Sequence, residues 1–299
     1  MAMLRITDLH KSFGDKQVLK GLELTVPEGS IFGFIGKNGA GKTTAMKTVL
    51  GLLRADRGEI TVGGERVVYG QTATNRLIGY LPDVPEFYPF MTAGEYLAYC
   101  GRISGLSSSE TAERSRKLLA LVGLGEETHR IKGFSRGMKQ RLGIAQALLS
   151  RPKLLLCDEP TSALDPVGRK EILDILLSVR EQTTVLFSTH ILSDVERICT
   201  DVALLDGGCV KLRGKLSEIK SRFGRNSYRL EVADTAGAQA ILGAYPLVQA
   251  VGERELTLYA DEQALFEVLG FISSHRIPVI RVEREEATLE SLFMEVART

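Results

Sequence analysis

A glycine-rich segment near the N-terminus, residues 36–43, limits the folds that are open to this chain. Its residues are Gly36, Lys37, Asn38, Gly39, Ala40, Gly41, Lys42 and Thr43. The segment fits the spacing G-x-x-x-x-G-K-[ST], a loop whose backbone N–H groups surround phosphate groups. Residues 30–35 predict a short buried strand before the loop, and residues 43–53 carry apolar side chains at helical spacing after it. Strand, glycine loop and helix N-terminus in this order predict a site for a triphosphate.

Two side chains at the end of this loop are suited to phosphate chemistry. The Lys42 ammonium is expected to reach the β- and γ-phosphates, and the Thr43 hydroxyl is expected to hold Mg²⁺. We include the next residue, Thr44, among the nucleotide-binding residues. The sequence therefore predicts that residues 36–44 bind a nucleotide together with Mg²⁺.

The overall composition restricts the class of protein. The chain has 299 residues, of which 44% are hydrophobic and 25% charged, as is ordinary for a globular protein. Its 38 basic and 37 acidic residues give a net charge of +1, which offers no electrostatic basis for nucleic-acid binding. No apolar run is long enough to predict a membrane span, and the four cysteines form no C-x-x-C pair. We therefore expect a reducing, cytosolic compartment.

The first part of the chain combines predicted strands with a helical insertion. Residues 4–26 and 58–68 predict strands joined by turns, which we assign to an antiparallel β subdomain. Capping signals at Thr92 and Ser107 open predicted helices, so residues 92–149 are expected to be mostly helical.

Short apolar runs alternate with helical segments further along the chain, and this alternation is typical of an α/β sheet. We expect an α/β domain over residues 1–222, with a helical subdomain at about residues 87–150. The runs that predict buried parallel strands are residues 154–157, 184–188 and 202–205.

A domain boundary is predicted near residues 223–226. Beyond it the predicted order is strand, helix, strand, strand, helix, strand, which suggests a small ferredoxin-like α+β module over residues 223–299. An amphipathic helix at residues 289–297 is expected to close the chain. The six predicted elements are residues 228–232, 235–242, 247–251, 255–259, 261–274 and 278–282.

An acidic pair, Asp158 and Glu159, follows the first of the predicted parallel strands. We predict that Asp158 binds Mg²⁺, directly or through water, and that Glu159 polarises or accepts a proton from an attacking water. An acidic pair at the end of a strand can also be a solvated turn. The phosphate-binding loop favours the catalytic interpretation, because a triphosphate site needs a carboxylate on the Mg²⁺ side.

A second motif connects the chain to a known family. Its residues are Phe134, Ser135, Arg136, Gly137, Met138, Lys139, Gln140 and Arg141. The segment is similar to the L-S-G-G-Q signature of ABC ATPases and the K-Q-R that usually follows it. It departs from that signature at the first, third and fifth positions. On these motifs the chain resembles an ABC transporter ATP-binding subunit, with a P-loop NTPase fold, over residues 4–220.

The resemblance assigns expected roles to several positions. It implies that Ser135 and Gly137 face the γ-phosphate of an ATP molecule bound to another chain. It implies that His190 contacts the γ-phosphate and that Phe13 stacks on adenine. Asp83 stands where the family usually has a glutamine that contacts Mg²⁺ and the attacking water. The shorter, charged side chain predicts slower or unusually Mg²⁺-dependent hydrolysis.

The resemblance also implies partners. One phosphate loop and one signature in the chain imply a second ATPase subunit, either a copy or a related chain, that closes around two ATP molecules. Similarity to the separate ATPase subunits of bacterial exporters implies a transmembrane permease and a place on the cytoplasmic side of the membrane. Residues 84–90, which are apolar and aromatic, either line a groove for a permease helix or pack the helical insertion. The C-terminal module is expected to stabilise the dimer, with regulation and ligand binding as open alternatives.

Other functions stay open from the sequence. A soluble ABC ATPase that acts as an assembly or regulatory factor would need no permease. A DNA-repair or chromosome-organising ATPase would carry a long coiled-coil insertion, and no sustained heptad run is present. A nucleotide-gated regulator without hydrolysis is a third class, which Asp83 keeps open.

Overall fold

The structure is a computed structural model, and it describes residues 1–71, 73–223, 227–259, 262–285 and 289. The chain divides into two compact units, Met1–Leu216 and Ser217–Thr299. The boundary that we predicted after residue 222 falls within a helix, Leu216–Phe223, and stays a prediction.

The described part of the first unit contains two sheets. Its strands are β1 (Ala2–Phe13), β2 (Lys16–Pro27), β3 (Ile31–Ile35), β4 (Arg57–Val62), β5 (Glu65–Arg66), β6 (Ile78–Leu81), β7 (Leu154–Asp158), β8 (Thr184–Thr189), β9 (Asp201–Asp206) and β10 (Cys209–Lys215). One sheet is antiparallel, with the order β2-β1-β4-β5. The other has the order β10-β9-β3-β8-β7-β6 and is parallel except at β10. The predicted α/β class with an antiparallel subdomain is confirmed.

Burial explains why these segments form strands of different kinds. Every residue of β3, β7 and β8 is buried, as a continuous apolar run between two covered faces requires. Strand β1 alternates only in part, because register shifts interrupt its pairing with β2. Strands β1 and β2 have twelve residues each and, with the turn between them, cover residues 4–26, which predicted strands joined by turns.

The helices of the first unit are set by local capping. They are α1 (Lys42–Val49), α2 (Ala93–Ile103), α3 (Ser108–Leu121), α4 (Arg136–Leu148), α5 (Pro166–Ser178) and α6 (Leu192–Ile198), with short 3₁₀ turns at Ala73–Leu77 and Ile131–Gly133. Thr92 and Glu95 exchange both hydrogen bonds of a capping box at the start of α2. At α3 the Ser107 hydroxyl accepts a hydrogen bond from the Glu110 N–H at 3.2 Å. The helices predicted within residues 92–149 are therefore present.

The second unit is a small α+β module. Its described elements are α7 (Leu216–Phe223), β11 (Ser227–Val232), α8 (Thr235–Ala244), β12 (Val248–Ala250), β13 (Glu255–Tyr259), α9 (Glu262–Ser274) and β14 (Val279–Glu285). The strands form an antiparallel sheet in the order β12-β13-β11-β14, and apolar residues such as Leu230, Ile241 and Val268 form its core. The predicted β-α-β-β-α-β order is confirmed. The predicted helix at residues 289–297 lies outside the described residues apart from Leu289.

Within the described ranges, none of the helices combines the length and the apolar character that crossing a bilayer requires.

Candidate functional site

The glycine loop connects the end of β3 to the start of α1. At Gly36 any Cβ atom would lie 2.6 Å from the backbone oxygen of Leu205, so only glycine fits there. Gly41 has a φ of 109° and precedes α1 without a side-chain hydrogen bond to the helix. The first N–H groups of α1 have no intrahelical acceptor, so they are available to an anion. The loop therefore has the backbone geometry of a phosphate site.

Lys42 is held at the bottom of this loop. Its side chain is 5% exposed, and its ammonium donates to the Gly36 oxygen at 2.5 Å and to the Lys37 oxygen at 3.3 Å. The same ammonium forms an ion pair with Glu159 at 3.1 Å. The loop lysine and the acidic residue after β7 are therefore in direct contact, although 117 positions separate them (159 − 42).

The two predicted acidic residues occupy different environments. Asp158 is 2% exposed at the end of β7 and accepts a hydrogen bond from the Ser188 hydroxyl at 2.6 Å. Glu159 has a φ of 49°, a left-handed conformation that is uncommon for a non-glycine residue. Its N–H donates to the Ser188 hydroxyl oxygen at 3.0 Å. Ser188 thus fixes both residues from the neighbouring strand β8, a role that we did not predict from the sequence.

His190 lies beside Glu159. Its Nδ1 is 2.9 Å from Oε2 of Glu159, and the histidine side chain is 43% exposed while the glutamate is 12% exposed. Glu159 is therefore placed between a buried lysine and an accessible histidine. A carboxylate in this position can accept a proton from a water molecule that enters from the cleft.

Asp83 follows β6 and is fixed by the start of α4. Its backbone oxygen accepts a hydrogen bond from the Gln140 amide at 2.6 Å, and its carboxylate contacts Arg136 at 3.3 Å. Burial raises the pKa of Asp83, and the guanidinium of Arg136 opposes that rise. The negative charges of Asp158 and Glu159 add to the rise. The three carboxylates therefore share one electrostatic environment, as predicted from the sequence.

Most of the predicted residues meet in one open cleft of ≈ 500 Å³. Phe13 lies at its edge with 49% of its surface exposed. Lys16, Val18 and Ser162 also line the cleft, and no motif in the sequence points to the first two. The predicted residues that line it are Phe13, Asn38, Gly39, Gly41, Lys42, Thr43, Thr44, Asp83, Glu159 and His190.

The signature residues Ser135 and Gly137 do not line this cleft. Ser135 is exposed at the N-terminus of α4, and its hydroxyl accepts a hydrogen bond from the Met138 N–H at 3.2 Å. At Gly137 an added Cβ would meet nothing closer than 3.9 Å, so the surface there is open. The N-terminus of α4 is therefore a separate candidate anion site on the same chain.

The oxygen atoms around the cleft fit Mg²⁺. Thr43, which is exposed, and Asp83 line the cleft, whereas Asp158 is 2% exposed and is not among its lining residues. A hydroxyl and carboxylates are hard donors of the kind that this ion prefers. Mg²⁺ is usually held by one or two carboxylates together with substrate phosphates and water, so a small protein donor set is sufficient.

The aromatic segment, residues 84–90, is divided between packing and exposure. Phe87 packs edge-on against Tyr96 of α2, with ring centroids 5.0 Å apart, whereas Val84 and Phe90 are 62% and 60% exposed. A cleft of ≈ 420 Å³ follows this segment and also carries the cations Lys132, Arg136 and Lys139. Packing against the helical insertion therefore holds for Phe87, whereas a groove for a permease helix stays a prediction for the exposed residues.

Comparisons with known proteins identify the family. A family model described as ABC transporter matches residues 19–162, and a model of the C-terminal domain of DrrA1-3-like ATP-binding proteins matches residues 214–297. The ABC transporter ATP-binding protein YxlF of Bacillus subtilis is 39% identical, over 98% of this chain and 99% of that protein. The linearmycin resistance ATP-binding protein LnrL of Bacillus subtilis is 32% identical, over 98% of this chain and 97% of LnrL. The bacitracin transport ATP-binding protein BcrA of Bacillus licheniformis is 40% identical, over 70% of this chain and 68% of BcrA.

Solved structures are similar to about three quarters of the chain. The ATP-binding subunit of an ABC transporter has 34% identity and a TM-score of 0.66, over 74% of this chain and 93% of that chain. A dimeric ATP-binding cassette in a post-hydrolysis state, bound to ADP and Pi, has 25% identity and a TM-score of 0.64, over 72% of this chain and 99% of that chain. With a relative matched over nearly its full length and the nucleotide cleft in place, this chain belongs to the ATP-binding proteins of ABC transporters, a family of ATP-hydrolysing enzymes.

Proposed function

We propose that this ATPase works as a pair of subunits and drives a separate permease, as part of a bacterial exporter. The observation that supports this most directly is the division of the nucleotide machinery. One cleft holds the glycine loop, Glu159 and His190, while Ser135 and Gly137 lie outside it.

In this proposal each of the following residues of the cleft has a role in hydrolysis. The loop N–H groups and Lys42 bind the phosphates, and Phe13 provides an apolar surface for the base. Glu159 accepts a proton from a water molecule whose oxygen attacks the γ-phosphorus, and the bond from that phosphorus to the β-phosphate oxygen breaks. The products are ADP and inorganic phosphate. His190 contacts Glu159 and lines the cleft, where it would contact the γ-phosphate.

Mg²⁺ would be held by Thr43, Asp158 and Asp83. When bound, it supplies neutralisation of the phosphate charge during transfer. Asp83 is kept close to this position by Gln140 and Arg136, whose contacts restrain its backbone and its carboxylate.

A second subunit would complete the site. Because Ser135 is exposed and Gly137 is half-buried, and neither lines the cleft of its own chain, they are available to a nucleotide bound by another chain. The dimeric cassette that resembles this chain supports such a pair. Ligand-driven closure of two subunits would supply the mechanical step.

A permease is the partner that fits the exposed part of the aromatic segment. Val84 and Phe90 are large exposed apolar residues beside a cleft that also carries cations. The relatives BcrA and LnrL carry the words bacitracin transport and linearmycin resistance in their names, and these words favour an exporter. The expected location is the cytoplasmic face of the membrane.

Affinity capture from native cells tests this proposal. Tagged Glu159→Gln chain would be captured from mildly solubilised membranes with Mg-ATP present, alone and combined with Phe90→Ser. Phe266→Ser is the matched control, because Phe266 is 69% exposed and belongs to α9 of the second unit.

We expect a multi-span membrane protein at near-stoichiometric yield, lost with Phe90→Ser and retained with Phe266→Ser. Recovery of soluble partners alone, with the chain absent from membranes, would instead establish a soluble assembly or regulatory factor. Loss of the membrane protein with Phe266→Ser and not with Phe90→Ser would place the docking surface on the second unit.

A further inference from the structure

A buried polar bridge connects the segment after Glu159 to the helix after His190. The Thr161 hydroxyl donates to Oδ2 of Asp194 at 2.7 Å, and Arg169 forms an ion pair with Oδ1 of Asp194 at 2.7 Å. Thr161 is 0% exposed and Asp194 is 3% exposed. A buried carboxylate with both oxygens partnered is strongly held, because removing either partner leaves an uncompensated group in a poorly solvated place.

The bridge and the His190–Glu159 contact join the same two segments of chain. Thr161 lies two positions after Glu159, and Asp194 lies four positions after His190. Asp194 is in the first turn of α6, where a negative charge is also favoured by the helix N-terminus. Arg169 is in α5, and its backbone N–H donates to the Asp165 oxygen at 2.9 Å. The bridge therefore fixes both ends of the segment that leads from the catalytic glutamate to α5.

The two contacts differ in how firmly they are held. The bridge is buried and made of three partners, whereas His190 is 43% exposed and lines the cleft. The connecting segment contains Glu159 and Ala163, with φ values of 49° and 52°. Such conformations persist when the surrounding structure over-determines them. The bridge supplies that restraint on one side of the segment.

We propose a positioning role for the buried bridge formed by Thr161, Asp194 and Arg169. The bridge holds the side chains of Glu159 and His190 in the relative position that hydrolysis requires. This inference rests on the proposed roles of Glu159 and His190. The bridge touches neither the loop nor the base-binding edge of the cleft, so its effect belongs to the rate of hydrolysis rather than to nucleotide binding.

Two substitutions at Thr161 separate positioning from packing. Thr161→Val keeps the shape of the side chain and removes the hydroxyl, whereas Thr161→Ser keeps the hydroxyl and removes a buried methyl group. Each would be made in the full chain and compared by kcat, KM, affinity for a fluorescent ATP analogue and thermal midpoint. Asp194→Asn provides a second test, because it keeps the volume of the side chain and weakens the pair with Arg169.

We expect Thr161→Val to lower kcat by about 10-fold or more with little change in KM, since small misplacements of reacting groups carry large rate penalties. Thr161→Ser should keep a kcat close to that of the unsubstituted chain even where its thermal midpoint falls. Equal kcat for Thr161→Val and the unsubstituted chain, or equal loss of kcat for both substitutions, would overturn the proposal.

Histidine NMR adds a readout that packing alone would not move. The chain has four histidines, so ¹⁵N-labelled histidine gives a small set of signals, and His190→Ala assigns one of them. Thr161→Val should shift the His190 ring signals and leave the other three in place. Unshifted His190 signals would contradict the positioning role. Glu159→Gln serves as the reference: if it hydrolyses ATP normally, the proposed function fails, whereas its inactivity together with an active Thr161→Val defeats this inference alone.

Discussion

The ion pair between Lys42 and Glu159 predicts that one substitution will weaken the protein and tighten its binding of ATP. Both side chains are nearly buried, at 5% and 12% exposed, and their charges are 3.1 Å apart. The phosphates of ATP would compete with Glu159 for the same ammonium. Glu159→Gln removes the competitor and leaves Lys42 with the two backbone oxygens of its loop.

The expected changes in unfolding free energy and in ATP affinity follow from the two backbone oxygens that still accept from the Lys42 ammonium. Removing one partner of a fully buried pair costs about 3–5 kcal/mol. Because two carbonyl oxygens still accept from the ammonium, we expect a loss of about 1–2 kcal/mol in unfolding free energy. For a unit of this size, such a loss lowers the thermal midpoint by about 2–8 °C. In the substituted chain ATP no longer has to displace Glu159 from Lys42. The free energy of that displacement is saved, so the dissociation constant for ATP should fall by about 5–30-fold.

Calorimetric titration with Mg-ATP and thermal melts of the substituted chain provide the assay. Asp174→Asn is the matched control, because Asp174 pairs with Arg197 at 3.0 Å on the surface, where both side chains are at least 41% exposed. A surface pair contributes about 0–1 kcal/mol, so this control should change neither quantity appreciably. A Glu159→Gln chain with an unchanged midpoint and unchanged affinity would refute the competition between Glu159 and ATP.

Three further changes test other parts of the cleft. Phe13→Ala should weaken ATP binding by about 1 kcal/mol, since the half-exposed ring offers stacking area, while Phe13→Tyr should restore it; equal dissociation constants would remove Phe13 from the site. Gly36→Ala should abolish ATP binding, because its Cβ would lie 2.6 Å from the Leu205 oxygen; normal binding measured by titration would contradict the close fit. Burial is the main cause that raises the pKa of Asp83 in the folded state above its value in the unfolded state. At neutral pH Asp83 is ionised in both states, so folding carries the cost of burying the charge and stability is lower. Asp83→Asn should therefore raise the thermal midpoint at pH 7–8 and lose this advantage below the folded pKa of Asp83; a constant difference across pH would contradict it.

The sequence predicted those parts of the site that depend on short-range patterns. The glycine loop needs eight consecutive residues, and its strand and helix have their own periodicity, so its position follows directly. The order of strands and helices in the second unit was also predictable, because each element is short and bounded by turn residues.

Features that depend on long-range packing were not predictable. Lys42 follows β3 and Glu159 follows β7, and these two strands are not neighbours in the sheet. Local sequence spacing therefore does not reveal which acidic residue the lysine contacts. The hydrogen bond between Thr161 and Asp194 also depends on long-range packing. From the sequence alone, an aspartate in a helix is expected at the surface, so its burial was not predictable. Within residues 84–90, Phe87 is packed against Tyr96 whereas other residues are exposed, and the periodicity of the sequence does not predict this difference.

The order of the parallel sheet has a consequence for how far variation can alter this enzyme. Strand β8 lies between β3 and β7, so the loop after β3 and the acidic residues after β7 are two strand spacings apart, about 10 Å. Main-chain hydrogen bonds set that interval, and side-chain replacement leaves it unchanged. Substitutions can thus change which side chains reach across the interval, as Lys42 and Glu159 do at 3.1 Å, while the interval between the two backbone edges stays the same.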